Sequence, residues 1–567
     1  MNVAIMKEDK TKVVRGRNIL IGVMLLAGVL GISFAVRIAG IQRTKSVDYH
    51  PDEGVLAIPI QQIANTGQVG LKTHYKWPGC GVIYPVGYGM YFLKPMFGEY
   101  DYITVLKTLR VLSAIASLGA VAMVFEFLRK YHSVRAGFLG AIFLGVSTMP
   151  AIAAHYATLD SVTMLLFIAS LYFVYGFFHV DKDGAKVNVV KTFSIGALIG
   201  YAISVKWTLM LMAIPVFVEA VGGFIDSVKN NTKLLFLKTG MQKGSILGLG
   251  MVVGFLLFFP DFQLVPNKAI EGIQFEMKHH NTGHYGEVLS DPMGLAKKFK
   301  RTYNLFVKCG WKAFTIAGLC SMVFVFFKRN RLKWFLFAVF ILWTSVPFRN
   351  LISPPRHYLV PYIILLLSLA ILADYLLSLR VKAVRIASIA CLSLAVLASL
   401  LYTCISVSPF WMADPRYACA EWIMDNVPKG SGVTWAPRHS AYNWSVPGTR
   451  IAGFLFKEYP RLAEPGKYQY LIASPIVLGV YKQHPPDRKI VPEEWFPGTP
   501  PSQQELELFY QLNEGGGDQW QRVEAFRSKP QFLGLTYKIF GEPEGQEPTV
   551  ACKKVFLYKS KYPMARR

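Results

Sequence analysis

The sequence predicts a polytopic α-helical membrane protein with a small α/β domain at its C-terminal end. Three observations predict it. The 567 residues are 53% hydrophobic and only 17% charged, where a soluble chain carries about a quarter charged residues. The apolar residues come in blocks of spanning length, roughly 20 residues, and not in alternation. Beyond about residue 407 the chain turns less apolar and rich in Pro and Gly, over a length that suits one small domain.

The apolar blocks predict eleven spans, at about 19–40, 103–126, 136–154, 160–179, 190–205, 207–224, 244–260, 309–327, 334–347, 358–377 and 386–407. The first follows a basic leader with no small-residue cleavage site, which reads as an uncleaved span. Loop charge gives an independent check on the count. With Lys7, Lys10, Lys12, Arg15 and Arg17 in the cytoplasm, every predicted inner loop is basic. Arg129, Lys130 and Arg135 fill one; Lys182, Lys186 and Lys191 the next; Lys229, Lys233, Lys238 and Lys243 a third. Lys328, Arg329, Arg331 and Lys333, then Arg380, Lys382 and Arg385, fill the last two. The short outer loops hold little: Lys206 in one, Arg349 and Arg356 in another. The net charge of +26 is thus explained by topology, and nucleic acid is not a predicted partner.

This arrangement divides the chain into a membrane domain, 1–407, and a soluble extracytoplasmic domain, 408–567. The membrane domain has two long outer loops, about 41–102 and 261–308. In the tail, "CAEWIMDNVPKG" reads as a helix stopped by Pro and Gly, and "KYQYLIAS" and "KKVFLYKS" as strands. The seven Cys include no CxxC and no zinc or iron–sulfur spacing. Cys419 and Cys552 could pair in an oxidising compartment.

Polar clusters gather at the outer ends of the spans. "DYHPDEG" opens the first outer loop, and Pro51 fixes an extended or turn entry into it. Asp52 and Glu53 then begin a helix, either as dipole-matching first-turn acids or as a working pair. The following "VLAIPIQQIA" suits an interfacial helix. Further on, "HYKWPGCGVIYPVGYGMYFL" reads as a Gly/Pro-rich turn among aromatics. Its Lys76 suits either a phosphate or a snorkelling role. "AAHYATLDSVTMLLF" places Asp160 at the mouth of the fourth span, as a helix cap or as a second site acid. "FEMKHHNTGHYGE" holds His279, His280 and His284, three of eleven His within six positions, without the spacing of a helical zinc site. They read as weak substrate or metal contacts. "RNLISPPRHYLVP" puts Arg356 at an outer boundary, against the charge bias, where it suits an anionic headgroup or phosphate.

Taken in order, the DE pair after the first span, the Asp before the fourth and "RHYLVP" opening a late span resemble glycosyltransferase family 39. That family is the polyprenyl- or dolichyl-phosphate-sugar-dependent branch of the GT-C membrane superfamily, which includes the protein O-mannosyltransferases and the aminoarabinose transferase. The resemblance covers most of residues 15–407. It implies a GT-C fold in which Asp52 is the base for the acceptor hydroxyl, Glu53 its companion and Asp160 the acid of the second outer loop. It implies carrier-phosphate contacts for Arg356 and Lys76, although the family's Lys-Pro-Pro run is "KWPG" here. No luminal repeat domain is inserted, unlike in the eukaryotic protein mannosyltransferases.

The implied chemistry is an inverting transfer from a polyprenyl-phosphate sugar to a hydroxyl on a glycan, lipid or protein, at the outer membrane face. The leaving phosphate would be met by Arg356 and Lys76, or by a divalent metal held at Asp52 and Asp160. The competing class is a transporter or flippase of lipid-linked or anionic substrates. Such a protein needs ionisable residues near the midplane and often shows related halves. No repeat is seen here, and the polar clusters lie at the span ends.

Overall fold

Segments that are apolar on all sides become helices in lipid, because the backbone has no other hydrogen-bond partner there. The computed structural model describes residues 24–41, 52–68, 79–178, 187–282, 295–327, 330–349, 355–412, 414–429, 431–435, 455–456, 469–473, 520–527, 531–536 and 554–561. Lys76, His284 and Cys552 lie outside these residues. His279 and His280 fall on a described helix, but their side chains lie outside the description.

The helices are α1 (Met24–Ile38), α2 (Asp52–Thr66), α3 (Cys80–Phe97), α4 (Tyr102–Tyr131), α5 (Val134–Gly145), α6 (Thr148–Ala154), α7 (Asp160–Val174), α8 (Val189–Val205) and α9 (Ala213–Lys229). They continue with α10 (Lys233–Phe258), α11 (Asp261–Leu264), α12 (Pro266–Thr282), α13 (Leu295–Cys309), α14 (Lys312–Phe327), α15 (Arg331–Arg349), α16 (Leu359–Ser378) and α17 (Lys382–Val407). Among the described residues, six helices are long and apolar enough to cross a membrane, or up to eight if each of two bent pairs is one span. The chain is therefore a multi-pass membrane protein. α16 is its axis: most of the helix is buried, from Leu359 through Ala373. α17 instead exposes Ile386, Ile389, Leu394 and Leu397, as a lipid-facing helix does.

Two departures from the expected elements bear on function. First, "CGVIYPVGYGMYFL" is not a turn. It is the body of α3, which runs through Pro85 and Pro95 and packs against α2. Second, the third predicted span is broken. α5 and α6 meet at 63° around Val146 and Ser147. The carbonyls freed by the break are taken by side chains of other helices. Arg37, fully buried, donates to the carbonyls of Leu144 (3.2 Å) and Gly145 (2.8 Å). Ser399 and Thr403 donate to that of Val146, at 3.0 and 2.7 Å. The break thus stays satisfied inside the protein, the condition for non-helical backbone at membrane depth.

After α17 come the helix α18 (Pro415–Asn426) and a five-stranded sheet. Its strands are β1 (Gly432–Trp435), β2 (Leu455–Phe456), β3 (Tyr470–Ala473), β4 (Trp520–Arg527) and β7 (Lys554–Ser560), in the order β2-β1-β3-β7-β4. β1 pairs parallel with β2 and β3, and β7 antiparallel with β3 and β4. Cys419 and Ile423 of α18 bury against Val433, Tyr470, Ile472 and Leu557. A short hairpin, β5 (Gln531–Phe532) and β6 (Leu535–Thr536), packs back on the end of α17.

Candidate active site

Asp52 and Glu53 open α2 and lie in its first turn, where a carboxylate meets the positive end of the helix dipole. Neighbours on a helix point about 100° apart, so the two acids face different partners. Asp52 Oδ2 lies 3.4 Å from Arg356, which stands in the 3-10 turn Pro355–Tyr358 ahead of α16. Glu53 turns inward. Its two oxygens accept from Arg110 of α4 at 2.9 and 2.6 Å, and both side chains are fully buried. One of those oxygens also accepts the backbone N–H of Ala157 at 2.7 Å.

Ala157 lies in the connection between α6 and α7, three residues before Asp160. That connection is held from several sides. Ser113 donates to the carbonyl of Thr158, 3.3 Å away. His155 stacks on Phe410 with ring centroids 4.2 Å apart and planes 8° from parallel. A ring nitrogen of His155 lies 3.1 Å from the carbonyl of Ala39, at the end of α1. The result is a fixed perch for Asp160, the first residue of α7, which makes no side-chain cap. Its carboxylate accepts instead from Lys206 Nζ at 2.6 Å and from the Thr158 hydroxyl at 3.1 Å.

Asp160, Lys206 and Arg356 line one cavity of about 550 Å³, counting its open mouth. Thr163 and Thr208 add hydroxyls, and Trp343 of α15 adds an apolar wall. Asp52 meets this cavity through Arg356. The structure therefore brings Asp52, Asp160 and Arg356 together and adds Lys206. The sequence placed Lys206 on the same side, in the tight junction between two spans, but assigned it no role. Arg110 went unnoticed too, although an Arg inside an apolar span signals a buried partner.

A divalent metal at Asp52 and Asp160 would have to share or displace the cations now beside them, Arg356 at 3.4 Å and Lys206 at 2.6 Å. Among the described residues no group of three His, Cys, Asp or Glu side chains is placed to hold an ion.

Comparison with known proteins agrees with this architecture. Residues 104–260, from α4 to just past the end of α10, match the model of the dolichyl-phosphate-mannose-protein mannosyltransferase family. The archaeal oligosaccharyltransferase AglB from Archaeoglobus fulgidus, solved with an inhibitory peptide and a dolichol-phosphate, is similar in structure with a TM-score of 0.50. Identity is 11%, over 95% of this chain and 88% of that one. Its apo form gives 0.52 at 10% identity, over the same shares. ArnT from Cupriavidus metallidurans bound to undecaprenyl phosphate gives 0.46 at 15% identity, over 84% of this chain and 96% of that one. No curated protein matches the chain. The chain shares its fold with AglB, and the family match falls on its central helices.

Proposed function

We propose that the protein transfers a sugar from a polyprenyl-phosphate carrier to an acceptor hydroxyl at the extracytoplasmic membrane face. The carrying observation is the pairing of two acids with two cations at one cavity beside the spans. The acceptor oxygen attacks the anomeric carbon from the side opposite the carrier. Asp52 takes the hydroxyl proton as general base. The bond from the anomeric carbon to the phosphate oxygen breaks, and the phosphate leaves with its electron pair. Arg356 and Lys206 meet the charge that develops there, as fixed cations in a water-poor site do. Before the donor arrives these cations neutralise Asp52 and Asp160, and the incoming phosphate competes for them. Asp160 holds Lys206 in place.

The same reading sets the topology. The six long apolar helices, the bent pair α5–α6 taken as one span, the apolar helix α14 beyond its bend and the three shorter apolar helices α1, α7 and α8 together make eleven. An odd number with basic inner loops carries the sheet and α18 to the outer side, where they form a small extracytoplasmic α/β domain. The family match and the fold of a dolichol-phosphate-binding oligosaccharyltransferase favour this chemistry over transport. The acceptor class remains a glycan, a lipid or a protein.

Mass spectrometry of glycans and lipids from a deletion strain tests the proposal. Complementation with the wild-type gene restores the missing sugar, and Asp52→Asn restores at most about one part in a hundred of it, the usual loss with a general base. Asp160→Asn weakens donor use by loosening Lys206. Full restoration by a well-expressed Asp52→Asn variant would remove Asp52 from the role of base.

A further inference from the structure

α13 carries Lys297, Lys298, Lys300, Arg301 and Lys308 and no acidic residue. It lies on the face of the molecule that holds Arg356. Topology does not explain this charge, because the bias for basic loops belongs to the opposite face. α13 meets the apolar helix α14 at 118° across the break between Cys309 and Lys312, which lays it across the direction of α14 and not along it. A basic, strongly amphipathic helix in that attitude sits in the headgroup layer.

Its inner face packs on the turn that carries Arg356. Phe306 packs on Tyr358 with ring centroids 5.2 Å apart, and the Thr302 and Tyr358 hydroxyls are 3.4 Å apart. Tyr358 closes the same 3-10 turn that presents Arg356. At the other end of α13, Arg301 donates to the carbonyl of Phe348 at 3.4 Å, and the Phe299 ring lies 5.2 Å from that of Phe348. Phe299 is nonetheless 60% exposed, Lys300 is exposed and Lys298 is half-buried. Among the described residues neither lysine has an acidic partner.

We infer that α13 is a capture surface for the phosphate of a polyprenyl-phosphate lipid, which it hands to Arg356 on the turn it packs against. This rests on the carrier-phosphate reading of the cavity and adds a second, peripheral phosphate site to it. Lys298 and Lys300 attract the headgroup from the leaflet, and Phe299 enters the acyl layer beside the isoprenoid. Lysines that only snorkel would need no helix packed on the turn that carries Arg356.

Surface plasmon resonance with the full chain in zwitterionic nanodiscs, with farnesyl phosphate as the injected probe, tests this. Lys298→Gln with Lys300→Gln should slow association on the order of three- to tenfold at low salt, as loss of local steering does. The difference should shrink at high salt, and dissociation should keep its wild-type rate. Arg356→Gln should instead speed dissociation. Farnesol, which lacks the charge, should not distinguish the double variant from wild type. Wild-type association by the double variant at low salt would overturn the capture role while leaving the cavity reading standing. A wild-type protein that binds no farnesyl phosphate would sink the cavity reading, and the capture role with it.

Discussion

Glu53 stands beside Asp52 in the sequence and apart from it in task. Its carboxylate joins α2, α4 and the turn before Asp160 in one buried contact. A buried ion pair is costly to break from one side, because the remaining charge has neither water nor a partner. Glu53→Gln should therefore destabilise the folded protein by about 3–5 kcal/mol. Glu53→Gln with Arg110→Met should recover much of that loss, since no charge is then stranded. Thermal unfolding in detergent reads both, and an unchanged melting curve for the single variant would show that the pair does not hold the site together. Legibility differs among these residues. Loop charge predicts one side of the membrane for Asp52, Asp160 and Arg356, which their proximity in the structure agrees with, but a shared side does not by itself bring residues to one cavity. The inward turn of Glu53 could not be read from the sequence, because adjacent acids look alike until the helix carrying them is placed. Lys206 was a lone cation in a short loop, and only its 2.6 Å approach to Asp160 gives it a use.

Among the elements, α3 shows why local sequence misleads at a membrane. Gly and Pro mark turns in water, where the exposed backbone can bond to solvent. In lipid or among packed helices no such partner exists, and a helix that includes Pro85 and Pro95 is the better solution. α8 and α10 show the opposite case, in which small residues are informative. Gly196 and Gly200 of "GALIG" face the carbonyls of Leu247 and Met251, and Gly250 and Gly254 of "GMVVG" face those of Phe193 and Ala197. A Cβ added to Gly200 would lie 2.0 Å from the Met251 oxygen, which backbone cannot yield without separating the helices. Gly200→Leu should cost about 3 kcal/mol or more. A substitution at Gly248, which has open space around it, should cost far less. Comparing the melting of the two variants checks this, and equal losses would rule out close packing as the cause. Because α8 ends at Val205, next to Lys206, the Gly200 variant should also weaken donor binding.

At the scale of the whole molecule, the question is how the sheet and α18 are coupled to the membrane helices. The sequence predicts a separate soluble domain but contains nothing that says how it docks, since the contact seen among the described residues is made by a six-residue hairpin with no motif of its own. β5 and β6 cover Tyr402 and Ile405 at the end of α17, with Trp311 at the margin. The Phe532 ring lies 5.9 Å from that of Trp411, and the backbone N–H of Gln531 donates to the Ser408 hydroxyl at 3.0 Å. These contacts fall beside the chain that leads from α17 into the sheet, but the hairpin stands 123 residues further along the sequence than Ser408, so apolar packing and not a short loop holds it there. Truncating the half-buried Phe532 there should cost less than the roughly 3–5 kcal/mol of a fully buried Phe, and the loss falls on the hairpin's seat. Phe532→Ala should therefore free the sheet from the membrane helices without unfolding either part. Limited proteolysis should then cut the region around residues 408–414 faster than in wild type, while the melting of the membrane helices stays where it was. Unchanged cutting would show that a different contact fixes the domain. A lowered melting point of the membrane helices would mean that the hairpin is part of their core.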